Sequence, residues 1–147
     1  MKASEKQVGG SHYKADGIQH WDYCIEVNVP NLEYAATKYI SRWRKKNGIQ
    51  DLQKALHYIE KRIEALHDFK GVLRGAKRNH VLFESFCIDN SLSYEERLLC
   101  DTVMHWRRGD ELICAAEKLQ RYIAQIERQE DDQFQKEIAM CKAREGC

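Results

Sequence analysis

One proline, Pro30, occurs in 147 residues, so long helices can run without interruption. No apolar run approaches the ~20 residues of a membrane span. The first ten residues, MKASEKQVGG, lack an apolar core, so no signal peptide is expected. The formal charge of +1 gives no bulk basic excess, which disfavours nucleic acid as a partner. The six cysteines form no C-x-x-C pair, which disfavours a zinc ribbon or a thioredoxin-type site. A reducing compartment is the simpler setting for them. Also missing are the Walker pattern G-x-x-x-x-G-K-[ST] and H-E-x-x-H, and the G-x-S-x-G elbow.

What is present is a folded composition, 43% apolar and 32% charged, patterned for an all-α fold. Residues 1–17 read as an arm broken by Gly9, Gly10 and Gly17. Residues 18–28 suggest a short helix stopped by Pro30. Asn31 can cap a second helix, with Leu32, Ala36, Tyr39, Ile40 and Trp43 on one face. Asn47-Gly48 closes it. A third helix is expected from Gln50 to Phe69, with a seam of Leu52, Leu56, Ile59, Ile63 and Leu66. Residues 18–70 thus form a first helical hairpin, and 71–92 a connector. Within that connector HVLFESFCI fits a brief helix or a buried strand.

Ser93 and Glu96 then read as a capping box. They open a helix that carries Leu99, Val103 and Trp106 and ends near Gly109. Asp110 can cap the last helix, whose seam is Leu112, Ala116, Leu119, Ile123 and Ile126. Residues 93–127 form a second hairpin, and 128–147 a polar tail, helical or frayed. The hairpins echo each other: Trp43 matches Trp106, Lys54 matches Lys118, Tyr58 matches Tyr122 and Ile59 matches Ile123. Asp51 falls opposite Ala115. Two amphipathic hairpins of similar chemistry would look like this. So would a degenerate repeat, whose halves would pack about a pseudo-twofold axis, with the functional site on the first half.

Three groups could carry chemistry. Gly10, Ser11, His12 and Tyr13 combine backbone freedom with hydrogen-bond donors suited to an anion. Lys38, Arg42, Arg44, Lys45 and Lys46 crowd the end of the second helix. There they match the helix dipole or clamp a phosphate through arginine forks. Asp51, Lys54 and Tyr58 form one stripe, with His57 beside it. That stripe is a surface ion pair, or a carboxylate placed to hold magnesium with a phosphate.

In order, VGGSHY, Ile18-Gln19, KYISRWRKKNG and DLQKALHYI resemble a family of small tailed-phage proteins. Its best-understood relatives are the phage nucleotide kinases that lack a P-loop and phosphorylate deoxynucleoside monophosphates. The match runs over about residues 7–64 and touches Gly10, His12, Tyr13, Lys38, Tyr39, Arg42, Arg44, Asp51, Lys54, Ala55 and Tyr58. The resemblance implies nucleotide handling by a homo-oligomer in the cytoplasm of an infected bacterial host. It implies His12 and Asp51 as catalytic groups. Gly10, Ser11, His12, Tyr13, Lys38, Arg42, Arg44, Lys54 and Tyr58 become nucleotide contacts, and Mg2+ the cofactor, placed by Asp51. The chain departs from the kinases in lacking a cysteine-rich N-terminal extension and in adding a C-terminal half. Two other readings stand beside kinase activity. One is a non-catalytic sponge for a nucleotide immune signal, which makes the protein an anti-defence factor. The other is a helical protein-interaction module.

Overall fold

The computed structural model describes residues 2–3, 17–69 and 74–146. The described residues are all-α, with no strand. The helices are α1 (His20–Val27), α2 (Asn31–Arg42), α3 (Ile49–Asp68), α4 (His80–Asp89), α5 (Tyr94–His105) and α6 (Gly109–Glu145). None of them is long and apolar enough to cross a membrane.

Local signals set most of these boundaries. Asp22 accepts from the Gln19 amide at 2.9 Å and fixes the start of α1. Asn28, in the left-handed region at φ 59°, ends it. The loop between α2 and α3 carries a 3-10 turn, Trp43–Lys45, and Gly48 at φ 62° is the N-cap of α3. The positive φ expected at Asn47-Gly48 therefore opens the third helix rather than capping the second. HVLFESFCI is helical, within α4, with Asn79 accepting from the Leu82 amide at 3.1 Å. Ser93 accepts from the Glu96 amide at 3.2 Å, as a cap should. The Glu96 carboxylate is turned to the Ser93 hydroxyl, at 2.8 Å. α5 stops at His105, before Gly109, and α6 begins at Gly109 with Arg108 as its N-cap, two residues ahead of the expected Asp110. The stretch read as a polar tail continues α6 as helix to Glu145.

The core faces differ from the expected seams. α2 buries Glu33, Ala36, Thr37 and Ile40, and α3 buries Asp51, Leu52, Ala55, Ile59, Arg62 and Ala65. Leu56 and Ile63 are only half-buried. The reason is geometric: α3 packs on both α2 and α6, so its buried face is wider than a two-helix seam. That width draws in Arg62. Its guanidinium ion-pairs with the buried Glu33 carboxylate through Nε and Nη2, and Nη2 also donates to Asn31 Oδ1 at 3.2 Å.

The two halves repeat more deeply than the hairpin echo shows. α1 packs on α4, α2 on α5 and α3 on α6. Each helix therefore meets its own counterpart, as elements lying along a pseudo-twofold axis do. Tyr23-Cys24-Ile25-Glu26 in α1 stands 63 positions before Phe86-Cys87-Ile88-Asp89 in α4. The Tyr23 and Phe86 rings stack at 5.9 Å and 16°. Asn28 and Ser91 share that spacing and are the positive-φ non-glycine residues among those described. The loop bonds Val29 N to Cys24 O and Leu92 N to Cys87 O are both 3.0 Å. α2 and α5 are both 12 residues long, and the third residue of each is a buried glutamate, Glu33 and Glu96. Both glutamates take an arginine, Arg62 for Glu33 and Arg44 for Glu96. The buried indole N–H groups of Trp43 and Trp106, also 63 apart, meet no acceptor among the described residues. The unit is thus three helices, and α4, within the stretch read as a connector, opens the second copy.

Candidate functional site

The face shared by α2 and α3 brings together Arg42, Asp51, Lys54 and Tyr58, around Tyr39. Tyr39 and Tyr58 lie parallel, with centroids 5.9 Å apart and planes at 13°. The Arg42 guanidinium carbon sits 4.6 Å from the Tyr39 centroid and Lys54 Nζ 5.5 Å from it, so one ring carries two cations. Spacing explains the meeting. Tyr39 and Arg42 are three apart on α2, Lys54 and Tyr58 four apart on α3, and each pair shares a side of its helix.

Asp51 lies beneath this face, wholly buried. It is in the first turn of α3, where the helix dipole favours a carboxylate. Its oxygens face Arg42 Nε at 3.5 Å, the Asn47 amide at 3.5 Å and Asn47 Nδ2 at 3.4 Å. Asp51 thus steers Arg42, which in turn covers Tyr39. No group of three or more His, Cys, Asp or Glu side chains suited to a metal occurs among the described residues. With its oxygens enclosed by Arg42 and Asn47, Asp51 does not offer an open ligand position in this arrangement.

Arg44 stands apart from the cluster. It donates to Glu96 at 2.9 Å and to the Tyr122 hydroxyl at 3.4 Å, tying the 3-10 turn to α5 and α6. Burial, chiefly, raises the Tyr122 pKa, with the Glu96 charge adding to it. Lys38 is half-exposed on α2. Gly10, Ser11, His12 and Tyr13 lie outside the described residues.

Two site features escaped sequence reasoning. Tyr39 was matched only through the resemblance, as a helix-face aromatic reads first as core; its pairing with Tyr58 needs the hairpin closed. His20 is the other. Its Nε2 is 2.8 Å from Thr37 Oγ1, whose hydroxyl donates to Glu33 O at 2.8 Å. Tyr34 and Phe86 meet the His20 ring edge-on. Burial, then the charges of Lys38 and Arg42, pushes its pKa down to about 3.

Compared with known protein families, the chain is similar over residues 8–60 to a protein family of unknown function, DUF3310. No curated protein matches it, and no solved structure does. The matched stretch takes in α1, α2 and most of α3, which is the unit that holds Tyr39, Arg42, Asp51, Lys54 and Tyr58.

The His20 shift has a pH consequence. A histidine whose folded pKa is depressed is neutral when folded while the unfolded chain takes up a proton below about 6.5. Its contribution to stability is present above that pH and declines as the pH falls toward about 3. Stability measured by urea unfolding is expected to drop between pH 7 and pH 4, and His20→Gln to flatten that part of the profile. An unchanged slope in the variant would exclude His20 as its source.

Proposed function

We propose that the chain binds a nucleotide on the α2–α3 face and handles it as a nucleoside monophosphate kinase does. The observation that carries the reading is the Tyr39–Tyr58 pair flanked by Arg42 and Lys54. Stacked rings suit a base, and the two cations suit phosphate oxygens. Phosphoryl transfer asks a protein mainly for positioning and charge neutralisation. Arg42 and Lys54 would supply the charge, Lys38 extends it along α2, and Asp51 acts as a positioning residue through Arg42. Mg2+ would arrive with the phosphates of the nucleotide. His12 and the Gly10–Tyr13 arm belong to the reading through the resemblance alone, as do the host cytoplasm and the phage setting.

The enclosure of Asp51 by Arg42 and Asn47 favours a second reading, a non-catalytic binder that sequesters a nucleotide signal. Both are tested by incubating the protein with ATP, magnesium and each deoxynucleoside monophosphate, alongside calorimetry with linear and cyclic nucleotides. Kinase action predicts a diphosphate product that falls at least about 100-fold in Arg42→Ala, as expected when a preorganised charge is removed. Sequestration predicts tight binding of an unchanged ligand, weakened by Tyr58→Ala. No product and no binding across the panel would sink both.

A further inference from the structure

A groove of about 560 Å³ lies between the 3-10 turn, the start of α5 and one side of α6, within the roughly 300–1,000 Å³ range of binding clefts. It follows α6 from Tyr122 to Glu137, roughly 22 Å at about 1.5 Å per residue. Its apolar lining is Trp43, Tyr122, Ile126 and Phe134. Trp43 and Tyr122 are buried at the base and Ile126 is half-buried, whereas Phe134 is 59% exposed. Beyond Ile126 every described residue of α6 is exposed except the half-buried Ile138. A helix in water draws most of its stability from packing an apolar face, and the Phe134 side of this one has nothing packed on it among the described residues.

The charge of the groove has one sign. Glu95 of α5 and Glu130 and Glu137 of α6 line it. The one cation in the lining is Arg44, and Glu96 already holds that guanidinium at 2.9 Å. Glu95 and Glu130 meet no cation among the described residues, and the Gln133 amide donates to Glu137 at 2.9 Å. Arg128 and Lys136, the basic residues of the same stretch, are outside the lining. Glu130 and Glu137 stand seven residues apart, two helical turns, so a helix laid alongside reaches both with cations at the same interval. The occupant that fits has an apolar face for Ile126 and Phe134 and lysine or arginine along its flank. A small cation satisfies the carboxylates and leaves the apolar lining bare. An acidic helix meets three like charges.

We infer that this groove docks a basic amphipathic helix of a partner protein, its apolar face laid on Ile126 and Phe134 and its cations on Glu95, Glu130 and Glu137. The inference is independent of the nucleotide reading. The test uses the full chain and the synthetic peptide LKKLLKLLKKLLKL, whose leucines and lysines follow that pattern, with LEELLELLEELLEL as its acidic twin. Calorimetry should show the lysine peptide binding at micromolar concentration and the acidic one not binding. Glu95→Gln with Glu130→Gln and Glu137→Gln should weaken binding about tenfold, as the loss of three exposed ion pairs allows. The same charge removed elsewhere on exposed positions, by Glu60→Gln with Glu117→Gln and Asp132→Asn, should leave binding unchanged. Phe134→Ser should weaken it at least about tenfold, as the loss of an aromatic anchor does. Hydrogen exchange at the amides of residues 126–137 should slow when the lysine peptide is added. A lysine peptide that does not bind overturns the inference. So do equal losses in the two triple variants, which would mark a general attraction of charge, spermidine binding as tightly as the peptide, or exchange along α6 that the peptide leaves unchanged.

Discussion

Arg62→Ala is expected to lower stability by about 3–5 kcal/mol, the usual cost of removing one member of a buried ion pair. Glu33 is 1% exposed and Arg62 6%, so the orphaned carboxylate has no water to turn to. Asn31 loses its Arg62 contact as well. The counterpart pair makes a control within the same molecule. The Arg44 side chain is 48% exposed, and Glu96 keeps the Ser93 hydroxyl when it goes. Arg44→Ala should therefore cost less, on the order of 1–2 kcal/mol. Urea midpoints at constant slope measure both. The double change Glu33→Gln, Arg62→Met should restore part of the loss, since it removes the unpaired charge. Equal losses for Arg62→Ala and Arg44→Ala would show that burial does not govern these pairs.

Gly75→Ala is the second large effect. The segment before α4 runs against the end of α5. Gly75 N donates to Trp106 O at 2.8 Å, Ala76 N to Met104 O at 2.7 Å, and Arg107 grips the Gly75 and Ala76 carbonyls at 3.0 and 3.2 Å. A Cβ on Gly75 would fall 2.5 Å from Trp106 N and 2.6 Å from Met104 O. Those are backbone atoms and cannot rotate away. The loss should reach the upper end of the roughly 1–3 kcal/mol seen for overpacking, through undocking of the segment. Hydrogen exchange should show faster exchange at the amides of residues 75 and 76. An unchanged unfolding midpoint would mean that the segment contributes nothing to the fold.

Much of this architecture was legible because local rules govern it. Pro30, Gly48 and the Ser93 cap mark helix limits through backbone chemistry alone, and α1, α2, α3 and α5 begin or end close to those marks. Burial was harder to read. Glu33 and Arg62 look like solvent-facing residues on their own helices; only the crossing of α2 and α3 makes them partners. The core face of α3 was misplaced for the same reason, because its second neighbour, α6, is distant in sequence. Of the candidate site, the Lys54–Tyr58 side of α3 follows from spacing. Arg44 leaves the cluster because Glu96, 52 residues away, binds it, and no local pattern signals that. The echo was visible at the tryptophans. The YCIE and FCID segments, each 20 residues ahead of its tryptophan, carry the same echo into α1 and α4.

The match to a family of unknown function ends inside α3, so it falls within one three-helix unit. Such a unit alone would leave bare the faces that here meet α4, α5 and α6. This chain carries its complement covalently, so the docking of the halves does not weaken on dilution as a dimer's would. A homodimer must also accept every substitution twice, once on each side of its axis. Tethering removes that obligation: Asp51 stands on one side and Ala115 on the other, Arg42 on one and His105 on the other. Each half of the pair is free to change without its twin.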